Sequence, residues 1–102
     1  MRAYDKAKSR RNRRLVRQLL NREWDPIGVA DAVPDEYDTY ADKLYVMLIH
    51  DHATAAEMAD YLWWVETDYI GMQATPLGRK RCEQVVAQLI EMRPQFEAAN
   101  DA

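Results

Sequence analysis

The six residues Trp24-Asp25-Pro26-Ile27-Gly28-Val29 restrict the fold of this chain more than any other stretch. Pro26 has its φ fixed and no N–H to donate. Asp25 can turn its carboxylate onto the backbone amides that follow it, and Gly28 can take φ > 0 without a steric penalty. Trp24, Ile27 and Val29 surround this turn with large apolar groups, and a turn that is both tight and apolar has to be packed against something. The stretch reads as a rigid corner over 24–29 between two helices, with Trp24 plugging the core. It speaks to fold and carries no chemistry of its own.

On the near side of the corner, residues 4–22 have the spacing of a helix. Leu15, Val16, Leu19 and Leu20 form its apolar stripe, and Lys6, Arg10, Arg13, Arg14 and Arg17 fall on the other side. On the far side, Pro34 suits a first helical position and Asp35 and Glu36 suit the positive end of the helix dipole. A second helix is therefore expected over 35–49, with Tyr37, Tyr40, Ala41, Leu44, Met47 and Leu48 on one face. His50-Asp51-His52 reads as the polar turn that follows. Thr54 with Glu57 three residues on is a capping box and opens a third helix over 54–70. Met58, Leu62, Val65 and Tyr69 are its expected core stripe, widened by Ala59, Trp63 and Ile70, with Gly71 as the residue after its end. Thr75-Pro76 caps and starts a last helix over 76–93, with Cys82, Val85, Val86, Leu89 and Met92 facing inward. Pro94 is expected to end or bend it, and Phe96 to fold back onto the core. No alternation of strand type survives, so residues 1–102 are expected to form one all-α domain, a bundle of about four helices with short connections.

Charge is distributed unevenly. Residues 1–22 carry nine Lys/Arg against one Asp, whereas residues 23–68 carry one Lys against twelve acids. Such segregation bears on partners and steering. The longest apolar run, Leu44 to Ile49, is too short for a bilayer. The basic N-terminus lacks an apolar core of signal type. One cysteine, Cys82, permits no internal disulfide and suits a reducing compartment. A cytoplasmic location without membrane association is expected.

Candidate sites follow from the faces of these helices. Trp64 points nearly opposite the third helix's core stripe, beside Glu57, Asp60, Tyr61 and Asp68. An outward Trp ringed by acids has the character of an interface anchor, either free for a partner or covered by the N-terminal helix or by an identical subunit. Arg10, Arg13, Arg14 and Arg17 offer phosphate contacts, or a face that docks on the acidic middle of the same chain; no aromatics are interleaved with them to stack bases. Asp35, Asp38 and Asp42 rise along a helix flank instead of converging on a cation. His50, Asp51 and His52 lack the spacing of a metal site. Cys82 has no activating base near it in sequence. No cofactor, metal or catalytic set is therefore expected.

The strings Trp24-Asp-Pro-Ile-Gly, Asp35-Glu-Tyr-Asp and Ala59-Asp-Tyr-Leu, with Glu66 and the closing Gly71-Met, resemble a group of small bacterial proteins of the YugE-like type over roughly residues 15–72. The resemblance implies a small, all-helical cytoplasmic protein and supplies no catalytic residues. The reading that follows is a non-enzymatic protein-binding module, of an immunity- or antitoxin-like kind, that meets a basic protein surface or self-associates through Glu57, Asp60, Tyr61, Trp64 and Asp68. The alternative is a nucleic-acid-associated protein that holds phosphates through Arg10, Arg13, Arg14 and Arg17.

Overall fold

Each helix that the spacing predicts is present, although two of them end differently from expectation. The computed structural model describes residues 6–26, 28 and 35–98. All regular structure among these residues is helical, and together it makes a small all-α bundle. Helix α1 spans Lys6–Glu23 and buries Val16, Leu19 and Leu20. Its inward stripe continues toward the N-terminus through two polar residues, Ser9 and Asn12. Asn12 is satisfied there. Its Nδ2 donates to Tyr45 Oη at 3.2 Å and to the Phe96 carbonyl at 3.4 Å, as a buried amide must.

The corner closes through backbone bonds. Trp24 and Asp25 both donate to the Leu20 carbonyl, at 2.9 and 3.0 Å, and Gly28 N–H donates to the Asp25 carbonyl at 3.2 Å. Gly28 takes φ +68°, and Asp25 itself is driven to φ +29°, a region that Asp tolerates better than most residues. Trp24 is buried, as expected. Ile27 and Val29, the other apolar members of the corner, lie outside the described residues, as do residues 4 and 5 of the first helix and Pro34.

Helix α2 spans Asp38–Tyr45, so it starts after Asp35 and Glu36 instead of at them. Residues 35–37 form a turn, with Asp38 N–H on the Asp35 carbonyl at 3.2 Å. Tyr37 holds that turn. Its ring is fully buried, and its Oη donates to Asp25 Oδ1 at 2.6 Å. That bond ties the start of α2 to the corner, and Tyr37 sits at φ −100°, ψ 14°, outside the helix.

Both middle helices end in a π turn. α2 runs on through Val46–His50, and α3, Ala55–Trp64, runs on through Val65–Tyr69. In each, a backbone N–H reaches five residues back: Asp51 to Val46 at 2.9 Å and Ile70 to Val65 at 2.8 Å. A π turn takes up one residue more than an α turn, so the helical register shifts after it. Val65 and Glu66 both turn inward, and Tyr69 does not reach the core: it is 66% exposed. The expected core place of Tyr69 is thus corrected by one π turn. Thr67 marks the distortion, because its hydroxyl donates to the Trp63 carbonyl at 2.8 Å, a back-bond that bends helices. Gly71, at φ +90°, ends the segment.

The capping box of Thr54 and Glu57 is formed in both directions, at 2.8 and 3.1 Å. Thr75 Oγ1 accepts from Gly78 N–H at 2.9 Å, with Pro76 in the first position of α4, Pro76–Glu91. The chain breaks at Met92 and restarts as α5, Arg93–Ala98, which returns Phe96 to the core at 2% exposure. α1 packs chiefly along α2 and α3 along α4; α1 also meets α4, and α5 meets the π turn after α2. No helix among the described residues is long and apolar enough to cross a membrane.

Candidate functional site

At the centre of the bundle, the Trp24 side chain leads to a buried carboxylate. Trp24 Nε1 donates to Glu66 Oε1 at 3.1 Å, and the Cys82 thiol donates to the same oxygen at 3.6 Å. Glu66 is 4% exposed. Its other oxygen lies so close to α4 that a Cβ on Gly78 would stand 2.7 Å from Oε2. The carboxylate therefore rests against the first turn of α4, the positive end of that helix's dipole, which favours negative charge. Burial, followed by the charge of Glu66, pushes the Cys82 thiol up to about 12. This assembly is a structural lock with an unreactive thiol. It joins the corner, the π turn after α3 and α4, and the sequence singles out Glu66 only through the resemblance.

A ladder of aromatic rings runs from this lock to the surface. Trp24 meets Tyr37 edge-on at 5.2 Å and Tyr40 edge-on at 6.0 Å. Tyr40 in turn meets Tyr69 edge-on at 6.2 Å. Outside, Trp64 is stacked between Tyr69, at 5.8 Å, and Tyr61, at 6.5 Å. The stack of Trp64 on Tyr69 spans five residues, the spacing that a π turn brings onto one face. Burial, together with Tyr40, pushes the Tyr61 phenol up to about 12; burial, Tyr69 and Glu36 raise that of Tyr40. Both phenols are thus neutral donors at physiological pH.

The expected patch is brought together only in part. Tyr61 and Trp64 share the surface stack, and Trp64 is half-exposed at 49%. They line one open cavity of about 230 Å³ with Tyr40, Tyr69, Thr39 and Glu36; none of these four belongs to the patch that the sequence suggests, which assigns Tyr40 and Tyr69 to core faces and Glu36 to a helix start. Of the expected acids, Asp60 is ion-paired with Arg79 at 2.9 Å, Glu57 is engaged in the capping box, and Asp68 lies 3.0 Å from Thr67 Oγ1, sharing with the Trp63 carbonyl the one proton of that hydroxyl. The acid within the cavity is Glu36, contributed by the turn before α2.

The basic face of α1 lies beside the acidic flank of α2. Arg13 and Arg17 pair with Asp42 and Asp38 at 3.8 and 3.5 Å. Together with Arg10, Arg14 and Ala41 these residues line an open cleft of about 290 Å³. Two of the four arginines expected to meet phosphates are therefore engaged within the chain, and two of the three flank aspartates with them. His50 closes the π turn after α2, its ring edge-on to Tyr45 at 6.2 Å, so the polar turn expected over His50-Asp51-His52 is reduced to the exposed Asp51 and His52, with His52 at φ +51°. Among the described residues no group of three or more His, Cys, Asp or Glu side chains could hold a metal ion. Comparison with family models, curated proteins and solved structures found no match to this chain.

Proposed function

We propose that this chain is a non-enzymatic protein-binding module, of an immunity- or antitoxin-like kind, that neutralises a protein with a basic surface in the bacterial cytoplasm. One observation carries the reading: Trp64, half-exposed, is held between Tyr61 and Tyr69 on a ladder of rings that stands on the core. A rigid aromatic anchor of this sort brings large contact area at little entropic expense. The acidic excess of residues 23–68 supplies the field that would steer a basic partner. The resemblance to the YugE-like group fits a small helical protein of this type. The other reading, phosphate binding by α1, has less support, since Asp42 and Asp38 already take Arg13 and Arg17.

The test is photo-crosslinking in the native host from benzoyl-phenylalanine at Tyr69, which keeps an aromatic ring at the edge of the stack, and at Glu91, an exposed position at the end of α4. The proposal expects a discrete basic protein crosslinked from Tyr69, absent from Glu91 and lost in Trp64→Ala. Equal products from both positions, or a product unaffected by Trp64→Ala, would remove the patch from the account.

A further inference from the structure

We infer that the cavity between the start of α2 and the end of α3 is a guanidinium pocket, which receives one arginine side chain of the basic protein partner. The inference rests on the protein-binding reading and names the contact at its centre. The lining is unusual in its chemistry: four aromatic rings (Tyr40, Tyr61, Trp64 and Tyr69), one hydroxyl (Thr39) and one carboxylate (Glu36). There is no aliphatic side chain and no cation in that set. An apolar occupant would leave the exposed carboxylate of Glu36 without a partner and draw nothing from it. An anion would meet both the carboxylate and the negative faces of the rings. A cation satisfies every wall at once, through the ring quadrupoles and through the carboxylate.

The geometry selects arginine over lysine. Tyr40 and Tyr69 stand nearly perpendicular, at 79°, while Trp64 lies at 29° to Tyr69. A planar guanidinium can lie flat on one ring and still direct N–H groups from its edge toward Glu36 and Thr39; a compact, strongly hydrated ammonium gains less from a flat face. The phenols of Tyr40 and Tyr61 are held neutral, so Glu36 is the charge in the cavity. Tyr40 is fixed from behind by Trp24 and Tyr37. The inner wall is therefore in place before anything binds, which reduces the ordering that binding requires.

The experiment uses the indole N–H resonances of the 15N-labelled full chain, which holds three tryptophans. The probe is N-acetyl-argininamide, with N-acetyl-citrullinamide as its neutral isostere and N-acetyl-lysinamide as the ammonium control. The Trp64 signal should shift saturably with the arginine probe and about tenfold less tightly with the citrulline one. Glu36→Gln should weaken the arginine probe about threefold, and Tyr40→Leu should abolish its binding. The Trp24 N–H, bonded to Glu66, reports in every variant that the core is intact. Equal binding of arginine and citrulline, equal or tighter binding of lysine, or no saturable shift at Trp64 would overturn the inference. A concentration-dependent dimer broken by Arg10→Ala with Arg14→Ala would also overturn it, because the occupant would then be a second copy. If the Tyr69 crosslink persists while arginine and citrulline bind alike, the pocket fails and the proposed function stands. If arginine binds selectively but no Trp64-dependent crosslink forms, the proposed function fails and the pocket stands.

Discussion

Gly78→Ala is the substitution whose effect follows most directly from the geometry of the lock. In an exposed helix the change would stabilise by about 0.5–1 kcal/mol, since Gly gives up more backbone freedom than Ala. Here the new Cβ would stand 2.7 Å from Glu66 Oε2, 3.1 Å from Thr75 Oγ1 and 3.3 Å from the Trp63 ring. If the neighbours stay in place, overpacking costs about 1–3 kcal/mol. If Glu66 withdraws, Trp24 Nε1 loses a charged acceptor in the core, a loss of about 1.5–3 kcal/mol. Either route offsets the helix gain and leaves a net destabilisation of about 1–2 kcal/mol. With a urea slope near 2 kcal/mol/M, ordinary for a small domain, the midpoint should fall by about 0.5–1 M. Far-UV circular dichroism during urea unfolding measures it. A double-mutant cycle with Glu66→Ala isolates the cause: once the carboxylate is gone, Gly78→Ala should be neutral or stabilising, with a coupling of about 2 kcal/mol. A Gly78→Ala protein as stable as the parent would refute the close seat of Glu66 on α4, and so would strict additivity in the cycle.

Three further outcomes are expected. Tyr37→Phe removes the donor on Asp25 and should lower stability by about 1–2 kcal/mol, tempered because Asp25 is half-exposed and can hydrate; urea midpoints check it. Cys82 should resist iodoacetamide at pH 8 until the chain unfolds. Because its folded value is raised from 9.0 to about 12, its contribution to stability is present below pH 9 and is lost as pH rises toward 12, which unfolding midpoints across that window would register. Zinc or manganese in modest excess should leave the melting temperature unchanged; an upward shift abolished by His50→Ala with His52→Ala would contradict the reading of that turn.

How much of this was legible in the sequence depends on the range of the signal. Local chemistry was readable. Thr54 with Glu57, Thr75 with Pro76, and Gly28 and Gly71 at positive φ act over three or four residues and lie where their chemistry places them. The apolar spacing likewise identified Cys82 as core and set Trp64 opposite the stripe, while the chemistry of the corner and the break expected near Pro94 did the same for Trp24 and Phe96. The miss at Tyr69 came from carrying a 3.6-residue period through a π turn. A trace of that turn was present, because Ile70, five residues after Val65, is the next aliphatic residue and is half-buried where Tyr69 is exposed. Glu66 could not be read as buried from spacing, since its donors, Trp24 and Cys82, are 42 residues before it and 16 after. Glu36 and Tyr40 joined the cavity for the same reason: the crossing of two helices lies beyond any local pattern. The acids around Trp64 were displaced in the opposite sense, with Asp60 drawn to Arg79 on α4.

The most direct test of the account is Trp64→Ala, read for stability and for association in the same preparation. The side chain is half-exposed and its contacts are two stacked rings, so the urea midpoint should move by no more than about 1 kcal/mol equivalent. The complex crosslinked from Tyr69 should meanwhile disappear. A loss of several kcal/mol, the signature of a core tryptophan, or a complex that survives the substitution intact, would contradict the claim that this ring is held on the surface for a partner.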